Sequence, residues 1–334
     1  MPDRLSRRQF LAGGAGAAAF AAATDDTSKP IPTRKLGRTG AQVTILAMGC
    51  GSRLLSYEQE DEAVAALNLA LDLGVRYLDT AYGYGNGKSE TWVGQVMKSR
   101  RKGVWLATKI NVRDPNEAQR ILEASMKRLQ TDHVDLIHIH SLLNDDDLAK
   151  VEAKGGVLDV LYKLRDQKVT RFVGMTSHTN PATLKTAIER HDLDCVQMAL
   201  NAALQGMADG KDAAGKSKMM LNPAMKTSFE HVALPAARKK NLGILAMKVM
   251  GQEELLGPGA GKGDPAKLFQ YTLSVPGVAA AVVGMPKLEI VRQNTAWARA
   301  FKPMPKGEMK DYSERLSDAN KVALDRKFRH HVDA

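Results

Sequence analysis

From about residue 43 to about residue 300, short apolar runs alternate with amphipathic stretches. An apolar run too short for a helix, followed by apolar positions spaced three and four apart, is the mark of a βα unit. The candidate strands are Val43 to Met48, Val75 to Asp79, Val104 to Lys109, Val134 to His140, Arg171 to Met175, Cys195 to Met198, Gly243 to Met247 and Ala279 to Val283. Eight strands with helices between them and no break in composition predict an α/β chain closed into a (β/α)8 TIM barrel rather than an open doubly wound sheet.

The helical segments carry their own punctuation. The spacing predicts a helix over Glu58 to Leu73, with Val64, Leu67 and Leu71 on one face and Gly74 as a left-handed stop. Asp114-Pro115-Asn116-Glu117 supplies an N-cap, a first-turn proline and an acidic third position ahead of Ile121, Leu122, Ser125 and Leu129. Three segments stand outside the repeats. Arg34 to Gly40 reads as a small N-terminal β-hairpin plugging the lower end of the barrel. Ala202 to Ser228 is long and rich in Met, Gly and Lys, which makes it a candidate substrate lid. Lys302 to Ala334 is a basic tail expected to form one or two surface helices.

The N-terminus belongs to a different function. Ser6-Arg7-Arg8-Gln9-Phe10-Leu11 precedes a mildly apolar Ala/Gly run from Ala12 to Ala23, and Ala21-Ala22-Ala23 offers a small-residue cleavage site. Paired arginines ahead of such a run match a twin-arginine export signal. A merely flexible tail leaves the Arg-Arg-x-Phe-Leu order unexplained. The organisation expected is therefore a signal peptide over 1–23, a linker over 24–32, a barrel over 33–302 and a basic C-terminal extension over 303–334. The twin-arginine translocase is then a partner during export, and the destination is periplasmic or otherwise exported. No apolar run reaches the roughly 20 residues of a membrane span, so no stable membrane anchor is expected.

The formal charge of +11 becomes +9 without residues 1–23, which hold Arg4, Arg7 and Arg8 against Asp3. No Lys/Arg cluster with interleaved aromatics accompanies that charge, and aromatics are only 5%, so a generally cationic surface is favoured over nucleic-acid binding. Cys50 and Cys195 are the only cysteines. That number is too small for a disulfide scaffold, and no Cys-x-x-Cys offers a metal site, so both read as separate buried thiols.

Polar residues at the C-terminal ends of barrel strands face the active-site mouth. The second strand ends in Asp79-Thr80-Ala81-Tyr82-Gly83-Tyr84-Gly85-Asn86-Gly87-Lys88-Ser89-Glu90, the third in Thr108-Lys109 and the fourth in His138-Ile139-His140. A phenol with an ordinary pKa of about 10 is a weak acid, and a neighbouring ammonium is expected to lower it. Asp79 would hold Lys109 charged, His140 would bond a carbonyl oxygen, and Tyr84 would donate the proton in a hydride transfer that yields an alcohol. Strand alternation puts His138 and His140 on one face and does not choose between them.

These residues resemble the aldo/keto reductase superfamily over roughly residues 33 to 300. The run D-T-A-x-x-Y-G-x-G-x-S-E is complete here, and Asp79, Tyr84, Lys109 and His140 match the family tetrad. The resemblance implies reversible NAD(P)H-dependent reduction of a small-molecule aldehyde or ketone, with cofactor binding first. It favours His140 for the mouth and leaves His138 as an interior, hydrogen-bonded histidine. It also places Thr176, Ser177 and Gln197 at the nicotinamide carboxamide, Met247 against the ring, Lys248 near the pyrophosphate, and Gly284 and Asn294 at the adenosine. Ser177 replaces a common asparagine, Met247 an aromatic and Lys248 a serine. Where NADP-preferring members often carry an arginine this chain has Ile290, and Lys287 is the substitute for reading a 2'-phosphate, which favours NADP(H) over NAD(H).

Two other functions fit parts of the pattern. His138, His140 and His178 at adjacent strand ends form the ligand set of a zinc-dependent hydrolase on the same barrel, although that leaves the tyrosine motif without a purpose. A non-catalytic nicotinamide-binding sensor would bind reduced cofactor without consuming it. Gly257 to Gly263 does not meet the phosphate-loop pattern, because Gly261-Lys262 is followed by Gly and residue 256 is Leu. That segment reads as a belt over the cofactor or a linker.

Overall fold

A computed structural model describes residue 27 and residues 29–327, apart from 212–214, 216 and 223, and gives only the backbone over 321–327. The twin-arginine stretch of 1–23 lies outside the described residues. Eight parallel strands close into a barrel: β3 (Leu46–Gly49), β4 (Tyr77–Asp79), β5 (Trp105–Ile110), β6 (Val134–Ile139), β7 (Thr170–Ser177), β8 (Cys195–Ala199), β11 (Gly243–Met247) and β12 (Val278–Gly284), with β12 pairing back onto β3. Every residue of β5 and of β6 is buried, as expected for strands covered on both faces.

The predicted first strand divides in two. Gln42–Thr44 is β2, paired antiparallel with β1 (Thr33–Lys35), and the barrel begins only at Leu46. The chain bends at Ile45, where the Thr44 hydroxyl donates to Leu46 O at 2.9 Å and accepts from Arg76 N at 3.1 Å. The β1–β2 hairpin delivers Leu36 and Val43 into an interior cluster with Tyr77, Trp105, Leu136 and Leu245. Gly37, at φ +47°, lies so close to Leu242 that a Cβ would overlap its carbonyl group. The hairpin thus plugs the pole of the barrel at which the strands begin.

The helices follow their sequence signals. In α1 (Glu60–Asp72) the buried face is Ala63, Ala66, Leu67, Ala70 and Leu71, while Val64 is half-buried. Lys88–Arg100 forms α2, and α3 (Pro115–Leu129) opens on Asp114, whose carboxylate accepts from Glu117 N at 2.7 Å. The remaining helices are α4 (Asp145–Val151), α5 (Val157–Asp166), α6 (Pro181–Arg190), α7 (Phe229–Lys239), α8 (Pro265–Ser274), α9 (Leu288–Arg299) and α10 (Lys306–Lys327).

Of the segments outside the repeats, one has structure that the sequence did not announce and one is helical as expected. Within Ala202 to Ser228 the chain makes an antiparallel hairpin, β9 (Met207–Lys211) with β10 (Ser217–Leu221), tied down where Met207 N donates to His178 O at 2.7 Å. Among the described residues the basic tail contributes one helix, α10, which buries Tyr312 and Leu316 and clamps the glycine-rich loop: Arg315 donates to Ala260 O at 2.8 Å and Asn320 to Gly261 O at 3.1 Å. Among the described residues no helix is long and apolar enough to cross a membrane.

The helices α2 and α3 touch through Gly94, where a Cβ would land on the carbonyl oxygen of Arg128. A backbone that cannot yield makes any added atom costly, so Gly94→Ala is expected to destabilise the fold by about 1–3 kcal/mol despite alanine's better helix propensity. Urea unfolding should show a lower midpoint with an unchanged m-value, and an unchanged midpoint would rule out this close approach.

Candidate active site

The D-T-A-x-x-Y-G-x-G-x-S-E run folds into a rigid loop between β4 and α2. Gly85, Asn86 and Gly87 all adopt left-handed φ, of +65°, +51° and +92°, and Gly87 lies against the Arg128 side chain, so the backbone geometry and the crowding both ask for glycine there. The closing Ser-Glu is structural. Ser89 Oγ donates to Cys50 O at 2.6 Å and shares a hydrogen bond with Thr80, while the fully buried Glu90 accepts from Thr108 at 2.5 Å and from Arg128 at 2.8 Å. These contacts fix the loop that carries Tyr84.

Asp79, the last residue of β4, and Lys109, on β5, form a buried ion pair at 2.5 Å, and the ammonium also donates to Thr80 O at 2.8 Å. The Lys109 ammonium sits 5.1 Å from the centroid of the Tyr84 ring. His140, just beyond β6, meets the same ring edge-on, with centroids 5.4 Å apart and planes at 84°. The four predicted catalytic side chains therefore converge on one point.

The electrostatics differ from expectation at one place. Burial pushes the Tyr84 phenol above its ordinary pKa; Lys109 pulls in the opposite direction and does not overcome it. The phenol keeps its proton. Burial works against the Lys109 ammonium, but Asp79 and then Tyr84 outweigh it and raise its pKa. His140 is held well below the usual histidine range by burial, with Lys109, Arg113 and Lys248 adding to the effect. It is a neutral imidazole, able to donate one N–H to a carbonyl oxygen.

A cavity of ≈ 580 Å³ opens over this cluster. Asp79, Tyr84, His140, Gln197, Met247, Lys248, Gly284 and Asn294 line it, and so do Arg53, Glu253, His178 and Met219. Gln197 holds Asp79 through a 3.4 Å hydrogen bond, and its buried Oε1 has no partner. Thr176, Ser177 and Lys287 are not among the lining residues. The Thr176 hydroxyl accepts from Ser141 N at 2.8 Å and Ser177 donates to Leu142 O at 2.8 Å, so both brace the loop after β6. Lys287 is exposed at the N-cap of α9.

His138 is fully buried in the barrel interior and is not a lining residue. Its ring presses on Gly174, where no Cβ would fit, and neither ring nitrogen has a partner among the described residues, contrary to the expected hydrogen bonding. His138, His140 and His178 do not form a ligand triad: among the described residues no three His, Cys, Asp or Glu side chains gather in an arrangement that could hold a metal. Cys50 and Cys195 are separate buried thiols, as read from the sequence. Sequence reasoning missed Arg53 and Glu253, an ion pair at 3.0 Å on the cavity wall, and Met219 from the β10 hairpin strand. The strand-end rule, applied to the residues after β3, points to Arg53.

Burial keeps His138, His140 and His178 well below the ordinary histidine value of 6.5. The unfolded chain therefore takes up protons below pH 6.5 that the folded chain refuses, and stability falls with pH by up to about 1.4 kcal/mol per unit per histidine. Thermal midpoints measured from pH 7 to 5 should drop steeply, and the slope should be shallower in His138→Leu. Identical slopes in the two proteins would contradict a neutral buried His138.

Comparison with known proteins bears on the whole barrel. The profile described as the Aldo/keto reductase family matches residues 47–267. The chain is 28% identical over 305 residues to the uncharacterized oxidoreductase YqkF of Bacillus subtilis (strain 168), covering 80% of this chain and 91% of that protein. It is 25% identical over 292 residues to L-galactose dehydrogenase of Arabidopsis thaliana, covering 80% and 88%. Among solved structures, the holo form of aldo-keto reductase AKR11C1 from Bacillus halodurans superposes with a TM-score of 0.67 at 21% identity, covering 86% of this chain and 97% of that one. An aldo-keto reductase from Klebsiella pneumoniae in complex with NADPH gives 0.65 at 22% identity, covering 86% and 95%. Profile, relatives and barrel agree: this chain is an oxidoreductase and belongs to the aldo/keto reductase family.

Proposed function

We propose that this oxidoreductase reduces a small-molecule aldehyde or ketone to its alcohol with NADP(H), used in preference to NAD(H), and that it acts outside the cytoplasm after export by the twin-arginine translocase. The observation that carries the chemistry is the convergence of the Lys109–Asp79 ion pair, the Tyr84 phenol and the neutral His140 imidazole in one cavity.

The residues present suit a nicotinamide dinucleotide. Gln197 Oε1 is a buried acceptor without a partner, which a carboxamide N–H can satisfy, and Met247, Gly284 and Asn294 extend the same wall. The bound cofactor supplies the hydride. Everything else falls to the chain's own side chains. His140 donates to the carbonyl oxygen and orients it, Tyr84 gives that oxygen its proton, and the Lys109 ammonium stabilises the phenolate left behind. Asp79 keeps Lys109 charged and in place. The exposed Lys287 at the head of α9 supports the preference for the phosphorylated cofactor.

Tyr84→Phe tests the assignment. It should lower carbonyl reduction by about 10²–10⁴-fold while NADPH binding, read by fluorescence quenching, persists. Full reductase activity in that variant would remove the phenol from its role. A wild-type protein that binds reduced nucleotide yet consumes none with any carbonyl is instead the sensor. For localisation, replacing Arg7 and Arg8 together by lysine should hold the protein in the cytoplasm. Unchanged fractionation of the double variant would argue against twin-arginine export.

A further inference from the structure

One wall of the cavity is made by chain that has little means of holding itself. Between Leu256 and Pro265, both lining residues, the sequence runs Gly257-Pro258-Gly259-Ala260-Gly261-Lys262-Gly263-Asp264. Gly257 and Gly259 adopt left-handed φ, of +102° and +127°. Glycine gives up more backbone freedom on ordering than any other residue, so such a loop keeps one shape only where something outside it supplies the bonds. Within the loop and its lead-in, Lys262 N donates to Gly259 O at 3.1 Å, Gly263 N to Leu255 O at 2.7 Å, and the Lys262 ammonium to Glu254 O.

The remaining support comes from α10. The carbonyls of three successive residues are all taken by that helix: Arg315 donates to Ala260 O at 2.8 Å and to Lys262 O at 3.3 Å, and Asn320 donates to Gly261 O at 3.1 Å. Both donors are themselves set in place. The Asn320 amide also donates to Leu316 O at 2.8 Å, and the Arg315 guanidinium lies 5.2 Å from the centroid of the Tyr312 ring, whose hydroxyl is so close to Gly263 that a Cβ there would overlap it. Beyond the loop, Pro265 starts α8, whose Phe269 meets Trp297 of α9 with centroids 6.5 Å apart, and Trp297 is another residue of the cavity wall. Ahead of the loop, Glu253 is paired with Arg53 of the chain after β3 at 3.0 Å. The segment is thus fastened on both sides. Among the described residues none of α10 lines the cavity, so the helix can act on it only through the loop.

We infer that Arg315 and Asn320 are positioning residues that latch the glycine-rich loop against the cavity, so that a bound dinucleotide leaves only when α10 lets the loop go. The inference rests on the nucleotide binding proposed above and adds the element that governs release. Because α10 lies beyond the residues 47–267 matched by the family profile, the latch is not part of what that match conveys. The competing role for α10 is a buttress that supports the fold and leaves the cavity unaffected.

Two variants of the full chain separate these roles. Arg315→Ala combined with Asn320→Ala removes the donors to the loop, whereas Glu308→Gln breaks the 2.8 Å ion pair between α10 and Lys267 and leaves those donors in place. In the nucleotide-free protein, trypsin should cut after Lys262 at least about tenfold faster in the Arg315/Asn320 variant than in the wild type, with Glu308→Gln behaving as the wild type. Mass spectrometry reads that cut against cuts elsewhere in the chain, so a general loosening of the fold cancels. NADPH release, followed by stopped-flow fluorescence against excess NADP+, should quicken by at least about tenfold in the Arg315/Asn320 variant and stay within about twofold of the wild type in Glu308→Gln. Unchanged cleavage at Lys262, or faster cleavage with unchanged release, overturns the inference. Equal acceleration of release in Glu308→Gln does so as well, because the helix then acts through its general packing. A wild type that binds no NADPH overturns the nucleotide reading, and the release step with it, whatever the cleavage rates.

Discussion

The active centre depends on a salt bridge sealed away from water. Lys109 and Asp79 are each about 1% exposed, and neither charge survives there without the other. Removing one partner of such a pair leaves an uncompensated buried charge, which costs several kcal/mol. The arrangement around it follows from that constraint. Gln197 and Thr80 O occupy further bonding positions of the pair, the glycine turns bring Tyr84 over the ammonium, and Glu90 and Ser89 lock the turn to the neighbouring strands and helix. The motif is therefore part chemistry and part masonry. In the proposed function Asp79 and Tyr84 do the first job, while Gly85, Gly87, Ser89 and Glu90 do the second.

Burial that makes the ion pair indispensable also sets the acid-base character of its neighbours. It keeps Tyr84 protonated in spite of Lys109 and strips His140 of its proton in spite of an ordinary affinity near neutrality. A proton donor and a neutral hydrogen-bond donor are what the proposed carbonyl reduction asks of these two groups.

Most of the barrel was legible because the strands are compact apolar runs and some helices open or close on chemistry that local sequence displays: Asp114 with Pro115, Gly74 after Leu73. What sequence could not show was long-range. Val43 to Met48 is one apolar run, yet a bend at Ile45 assigns its halves to different sheets, and only pairing with β1 and with β12 decides where the cut falls. The hairpin inside Ala202 to Ser228 has too little alternation to announce itself. At the site, strand-end position and residue type pointed to Asp79, Lys109 and Tyr84, but left His138 and His140 as alternatives between which only the family resemblance chose. They did not foresee that Thr176 and Ser177 spend their hydroxyls on Ser141 and Leu142, since that depends on the return path of a loop. Nor did spacing reveal the sign of the Tyr84 shift, which is set by the depth of burial.

The N-terminal hairpin also has a geometric consequence. The chain comes in along the plugged pole, where Ile31 packs beside Gly74 and Arg299 grips Lys29 O at 3.0 Å and Leu73 O at 2.5 Å. The catalytic opening lies at the opposite pole, beyond Gly49, Asp79 and Met247. Lys29 thus lies on the far side of the barrel from the mouth. Plug and mouth occupy opposite poles, so the hairpin that closes one leaves access to the other unobstructed.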